Sequence, residues 1–387
     1  MTRLLEILIS LVIVAVLFVV VGVLLPANRT LVEQVETNRR QTIVFDTINS
    51  FRRFHEWHPM ALYDPRMNIE RSGPEEGEGA TMSYSSDVRN VGTGKWTIVE
   101  SVPRREVKIA IEDDRQGTNK QTTFALRPTG RGGRNIQITQ TYSVDYGWNL
   151  LGRYAGLYVS RSIGDSMTLG LSRLSNMLSA VPNVDYAVDG STLENLRVFE
   201  RPAENLLVVR AGAIERRTAE IQGSMESNME WINRTMETND LEAAGPMRIV
   251  TTELGRDTYN FDVVLPVRSA GSGPAVADSD AEEGNGEEAE AETATAAVEQ
   301  PMVDEGELSD LELLGPVEYV RAEPTLVAGG DYTGFMAELE NVRNAIRAWA
   351  MTQGHEVTGR PFEMYKSGIE DSFTPEGQYE VYWTVKQ

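Results

Sequence analysis

Nineteen consecutive residues, Ile7 to Leu25, carry one clearly polar side chain, Ser10. At ~1.5 Å per residue such a run spans close to the ~30 Å hydrocarbon core of a bilayer, so residues 4–25 are predicted to form a transmembrane helix. The competing reading is a cleaved signal peptide, whose apolar region is normally ~7–15 residues and ends at a small-x-small site. Val23-Leu24-Leu25-Pro26-Ala27-Asn28 offers no good site of that kind. An uncleaved anchor is therefore expected, and with Arg3 before it and Arg29, Arg39 and Arg40 after it the flanks set no orientation.

After the anchor the pattern changes to short periods. Thr30 to Glu36 reads as a strand and Gln41 to Phe51 as an amphipathic helix. Thr81 to Ser85, Lys95 to Glu100, Glu106 to Glu112, Gln121 to Leu126 and Asn135 to Val144 read as further strands, divided by glycine- or proline-bearing turns. Met167, Leu171, Leu174 and Leu178 recur at helical spacing in a long final helix, roughly Leu151 to Leu178. Residues 28–182 are thus expected to form one α+β domain, an antiparallel sheet curled around that helix. Residues 183–195, rich in Pro, Asn, Asp and Gly without periodicity, read as a linker.

From residue 196 to 387 the chain repeats itself. Leu206 to Val209, a helical stretch ending near Trp231, Gly245 to Val250 and Phe261 to Val267 form one copy. Val317 to Val327, Phe335 to Met351, Gly359 to Tyr365 and Tyr379 to Val385 form the second. A strand-helix-strand-strand unit used twice is expected to pack as a pseudo-symmetric pair, and pockets tend to lie where elements meet.

Composition narrows the function. The 387 residues are 41% hydrophobic, and the mean hydropathy of −0.31 describes folded domains. The absence of cysteine excludes disulfides, thiolate metal sites and a Cys nucleophile. A net charge of −22 argues against a nucleic-acid surface. Most of that acidity is local: Ser269 to Val320 holds 15 Asp or Glu and no Lys or Arg, and without it the net charge is about −7. The insertion 269–309 has little to bury and is expected to be a disordered, solvating linker between the two copies.

Candidate chemistry in residues 28–182 is sparse. His55 and His58, with Glu56 and Asp64 nearby, lack a third ligand and the i, i+4 spacing of a helical zinc motif, so no metal site is expected. Trp57 and Trp96 are expected to form core or cavity wall. Trp57-His58-Pro59, Tyr63-Asp64-Pro65, Gly73-Pro74, Gly77-Glu78-Gly79-Ala80, Gly94-Lys95-Trp96-Thr97-Ile98 and Glu100-Ser101-Val102-Pro103 together resemble the SRPBCC superfamily, also called polyketide cyclase/dehydrase or START-like. The resemblance implies a helix-grip fold with an apolar cavity between sheet and C-terminal helix, in a family whose members bind lipids and other hydrophobic ligands and only some of which are enzymes. His58 stands where the commoner pattern has an aromatic or Ser.

The repeated region resembles the GyrI-like, or SOB-type, small-molecule-binding domain. The residues that carry this are Glu200-Arg201-Pro202-Ala203, Gly330-Asp331-Tyr332-Thr333-Gly334-Phe335, Trp349, Phe362-Glu363-Met364-Tyr365 and Tyr379 to Val385. The resemblance implies that Glu363 is a carboxylate at the base of an aromatic-lined cleft that takes cationic, lipophilic ligands. Tyr332, Tyr365, Trp349 and Trp383 are expected to line it, and Tyr382 and Trp383, as strand neighbours, cannot both do so. Aligning Pro246 with Pro361 sets Arg248 at the position of Glu363, and the competing accounts of the carboxylate are an exposed strand residue or a salt bridge between those two.

The sequence therefore predicts an α+β protein with one N-terminal transmembrane helix, a helix-grip antiparallel sheet domain and a duplicated GyrI-like domain, located in a membrane, the bacterial inner membrane. Its expected partners are that membrane and a small lipophilic or amphipathic ligand, a cationic one where the GyrI-like resemblance holds. No nucleic acid, cofactor, metal or catalytic residue is implied. An enzyme, cyclase-like in the first domain or hydrolytic through Glu363 in the second, is the rival reading.

Overall fold

The computed structural model describes residues 2–188, 191–272 and 306–386. Residues 273–305, the greater part of the predicted acidic linker, lie outside the described residues. The fold is α+β with two antiparallel sheets. It divides into two compact units, one reaching Asp189 and including Arg347–Glu356, the other comprising Gly190–Ile346 and Val357–Lys386.

The first unit opens with α1 (Thr2–Leu24), whose stretch Leu5–Leu24 is long and apolar enough to cross a membrane. Strand β1 (Asn28–Thr37) follows, then α2 (Gln41–Ile48) and two single-turn helices, α3 (Phe54–Trp57) and α4 (Met60–Tyr63). Strands β2 (Asn68–Ser72), β3 (Thr81–Ser85), β4 (Thr93–Val102), β5 (Glu106–Asp113), β6 (Thr118–Thr129) and β7 (Asn135–Asp145) complete a seven-stranded sheet in the order β1-β7-β6-β5-β4-β3-β2. Side chains alternate faces along a strand, so Ile136, Ile138, Tyr142 and Val144 of β7 and Val107, Ile109 and Ile111 of β5 are all buried on one face. Helix α5 (Leu150–Ala155) leads through a 3₁₀ turn, Gly156–Tyr158, and a π-helical turn, Ser160–Gly164, into α6 (Asp165–Ser179). The backbone stays helical from 150 to 179, but its hydrogen-bond pattern departs from the α-helical one twice where one regular helix was expected. Met167, Leu171, Leu174 and Leu178 all face inward, as their spacing predicts.

Trp57 and Trp96 are buried beside Phe54, and Trp57 also lies edge-on to Phe124. Gly170 of α6 leaves room for Pro59 and the Trp57 ring, so at this point side chains fill the space beneath the helix. His58 belongs to the same cluster: its ring stacks on Phe54 at 4.3 Å and its Nδ1 accepts from the Met60 amide. Burial, with a smaller push from Arg115, lowers the His58 pKa to about 3, so the imidazole is neutral. Among the described residues no group of three or more potential metal ligands gathers.

The second unit contains β8 (Leu193–Arg201), β9 (Glu204–Glu215), α7 (Thr218–Thr238), β10 (Leu241–Ala243), β11 (Arg248–Leu254), β12 (Thr258–Ser269), β13 (Glu318–Ala322), β14 (Thr325–Thr333), α8 (Leu339–Thr352), β15 (Glu356–Tyr365), α9 (Gly368–Asp371) and β16 (Gln378–Lys386). Strand-helix-strand-strand occurs twice, as β9-α7-β11-β12 and β14-α8-β15-β16. The sheet order is β13-β9-β12-β11-β15-β16-β14-β8, with β10 on β12. Antiparallel pairing of β11 with β15 joins the copies at the centre, and the strand preceding each copy pairs with the first strand of the other. Gly329 is directly opposite Tyr382, whose ring covers it; a Cβ there would strike that ring.

Two outcomes follow from this packing. Gly329→Ala should lower unfolding stability by about 1–3 kcal/mol through overpacking against Tyr382, measured by denaturant titration. For His58 the folded pKa lies below the unfolded one, so its contribution is present above pH ~6.5 and is lost as pH falls toward 3. His58→Phe should therefore flatten the acid limb of the stability profile between pH 6 and 4, and an NMR titration in which the wild-type imidazole protonates near pH 6.5 would contradict the assignment.

Candidate functional site

A cleft of about 250 Å³ opens in the second unit between the starts of α7 and α8. Its walls are apolar, formed by Ile221 of α7, Leu254 of β11, Phe335 and Met336 ahead of α8, and Phe373 after α9. Arg216 and Glu340 pair at 3.1 Å on the partly exposed rim, and Tyr259 and Arg343 supply the polar groups deeper in.

Beneath those two lies Glu363. In an antiparallel pair, directly opposed residues share a face, and the register sets Glu363 opposite Ile249 and Arg248 opposite Met364. Glu363 therefore enters from the side of the sheet that carries α8, and Arg248 from the other. Glu363 is fully buried and its Oε1 accepts from Arg343 Nε, while Arg343 Nη2 donates to the Tyr259 hydroxyl at 3.2 Å. That hydroxyl also lies 2.9 Å from Thr251 Oγ1. Burial works against the Arg343 charge, but the attraction of Glu363 and Tyr259 outweighs it and raises the pKa above its ordinary value. Burial also raises Tyr259 and Tyr365, with Glu363 adding to it, so both are neutral phenols. Glu363 Oε2 and the Tyr365 hydroxyl are buried with no hydrogen-bond partner among the described residues.

The competing Glu363–Arg248 bridge is not what the register permits. Arg248 makes a two-pronged contact with Glu204, at 2.7 and 2.5 Å, and Glu204 also pairs with Arg201 at 3.0 Å. Burial pushes the Glu204 carboxyl up, but the two guanidiniums prevail and hold it below its usual range. The alignment on the prolines thus matches two residues that lie on opposite faces of the sheet.

Of the residues expected at the site, Glu363 and Tyr365 sit together under the cleft. Tyr379 joins them to Tyr332: it meets Tyr365 edge-on at 5.1 Å and stacks on Tyr332 at 5.8 Å, so Tyr332 is part of the same aromatic row. Trp383 lies behind α8, where its Nε1 donates to the Arg343 carbonyl at 2.7 Å. Tyr382 points the other way, onto Phe362, as strand alternation requires. Trp349 falls in Arg347–Glu356, which groups with the first unit, and does not line the cleft. Trp57 and Trp96 likewise belong to the first unit.

Arg343, Tyr259, Arg216 and Glu340 were not singled out by the sequence. Arg343 had a readable signal, because it stands four residues after Leu339 and three before Ile346, on the buried stripe of an otherwise amphipathic helix. A lone charge on such a stripe needs a partner, and a lone acid on a neighbouring strand needs one too. Arg343→Met should destabilise the protein by about 3–5 kcal/mol because it strands the Glu363 carboxylate, whereas Arg343→Met with Glu363→Met should recover much of that loss. Chemical denaturation of both single variants and the double variant measures this, and a double-variant loss equal to the sum of the two single losses would mean the pair is not coupled.

Residues 29–178 match the family model described as polyketide cyclase / dehydrase and lipid transport, a span that begins in β1 and ends in α6. No curated protein matches the chain. Among solved structures, the chain is similar to the C-terminal domain of EcmrR at 13% identity, covering 50% of this chain and 98% of that one with a TM-score of 0.33. It is similar to norcoclaurine synthase from Thalictrum flavum at 11% identity, covering 40% and 87% with a TM-score of 0.31. A solution structure from Thermobifida fusca, at 19% identity, covers 38% and 90% with a TM-score of 0.29. Residues 29–178 thus have a polyketide cyclase/dehydrase-like fold.

Proposed function

We propose that the chain is a membrane-anchored binding protein for small amphipathic molecules, with its ligand site in the cleft above Arg343 and Tyr259. On this reading α1 is the anchor, the first unit is a helix-grip domain of the lipid-binding kind, and the second is a GyrI-like domain that senses or sequesters its ligand without DNA. The repeated strand-helix-strand-strand order supports the second assignment, and the family match over residues 29–178 supports the first.

The observation that carries the ligand class is the Arg343–Glu363 pair. The carboxylate that would attract a lipophilic cation already holds an internal one, and the groups a ligand meets are a guanidinium, a phenol and apolar walls. Such a site favours a molecule with an apolar body and a hydrogen-bond acceptor, neutral or anionic, over a cation. One observation favours the cationic alternative: Glu363 Oε2 is buried without a hydrogen-bond partner among the described residues and would accept from a ligand ammonium that reached it.

Full-length protein in nanodiscs, titrated with N-phenylnaphthylamine, anilinonaphthalene sulfonate and tetraphenylphosphonium, separates these readings. The neutral and anionic probes should bind, and Arg343→Met should weaken the anionic one by about tenfold or more. Arg216→Gln, at the rim, gives a second reading of the same loss should Arg343→Met fold poorly. Binding of the phosphonium that disappears in Glu363→Gln would replace this proposal with the cationic one, and no binding of any probe would remove both.

A further inference from the structure

The turn and helix after β7 place apolar and aromatic groups beside the end of α1 with no protein to cover them. Trp148 is 81% exposed, Leu151 67% and Tyr158 70%. Leu151, Tyr154 and Tyr158 fall at i, i+3 and i+7, one stripe of a helical path. A stripe of this kind on a soluble surface would be costly, and it lies on a segment that grips the apolar N-terminal helix.

The grip is specific. Tyr154 stacks on Phe18 with ring centroids 4.5 Å apart, and its hydroxyl donates to the Phe18 carbonyl at 2.8 Å. Gly22 makes the approach possible, since a Cβ there would sit 3.2 Å from the Tyr154 ring and 3.3 Å from Leu150. Arg153 is buried, and its Nη1 donates to the carbonyls of Val23 at 2.8 Å and Leu25 at 3.1 Å. The end of a helix leaves its last carbonyls unpaired, and this guanidinium closes them. Arg153 also lies 5.5 Å from the centre of the Trp148 ring.

We propose that Trp148 to Tyr158 is a second membrane contact, a foot lying in the headgroup and upper acyl region of the bilayer beside α1. The inference rests on α1 being a membrane span. Phe18 precedes the helix end by six residues, about 9 Å of rise, so a side chain bonded to its carbonyl reaches below the surface at which the helix emerges. An interfacial helix is buried to ~5–10 Å, the same depth. Trp and Tyr concentrate at that level because their rings are apolar and their polar atoms favour the headgroups, and an Arg whose stem lies in apolar surroundings with its head at the helix end fits there as well.

The chain has no cysteine, so a single introduced thiol can be labelled alone. Full-length Leu151→Cys and Tyr158→Cys, each carrying a nitroxide, are reconstituted into phosphatidylcholine and phosphatidylglycerol vesicles, together with Val14→Cys in α1 and Arg131→Cys. Arg131 is exposed beyond the opposite end of β7, about 35 Å away along the strand. Expected is an oxygen-to-nickel-chelate collision ratio at 151 and 158 several-fold above that at 131 and below that at 14. Water-like ratios at 151 and 158 with a lipid-like ratio at 14 would overturn the foot and leave the anchor standing. A water-like ratio at 14 would remove the anchor and the foot with it.

Discussion

The pairing of β11 with β15 decides on which face of the sheet Glu363 and Arg248 each lie. Ile249 is opposite Glu363 and Arg248 is opposite Met364, and because strand side chains alternate, a slip of one residue would exchange the two faces. The flanking strands hold that register from both sides. Since β8 pairs with β14 and β13 with β9, each copy is completed by the strand that leads into the other, and neither can shift without breaking both edges of the sheet. The duplication is therefore a constraint on register as well as a way of building a cleft.

Each face then deals with its acid differently. On the α8 side Glu363 pairs with Arg343 and leaves one oxygen without a partner among the described residues, while Arg343 reaches on to Tyr259 in the cleft. On the far side Glu204 is shared by Arg201 and Arg248, so that charge is over-compensated. A buried pair costs several kcal/mol in desolvation and recovers it only with good geometry. The α8-side pair has a polar outlet into the cleft, which makes it the less self-contained of the two.

The sequence was most legible where a single period dominates. β3 begins and ends where its alternation predicts, and β5 and β7 run one residue past their expected ends. β2, short and with no fully buried residue, carried no such alternation and was missed. The helix after β7 was read as regular because Met167 to Leu178 is periodic, but residues 150 to 155 pack against α1 and residues 160 to 164 against β1, contacts that no local pattern encodes. The site shows the same division. Glu363, Tyr365 and Tyr332 were singled out through a family resemblance, whereas the pairing of Glu363 with Arg343 needed two elements considered together, and matching prolines did not fix the face on which Arg248 lies.

The contacts at α1 also bear on what kind of tether the first unit has. A helix joined to a domain through a free linker would leave its last carbonyls to water or headgroups. Here Arg153, fixed by its own bond to the Gly147 carbonyl at 2.8 Å, takes up two of them, and Tyr154 bonds a carbonyl deeper in the helix. Three residues separate the end of α1 from β1, and β1 pairs with β7 along its full length, so the same strand that follows the helix holds the strand that leads to α5. Helix, β1, β7 and α5 form a closed loop of contacts. A seven-stranded sheet attached in this way has little freedom to swing about the end of α1.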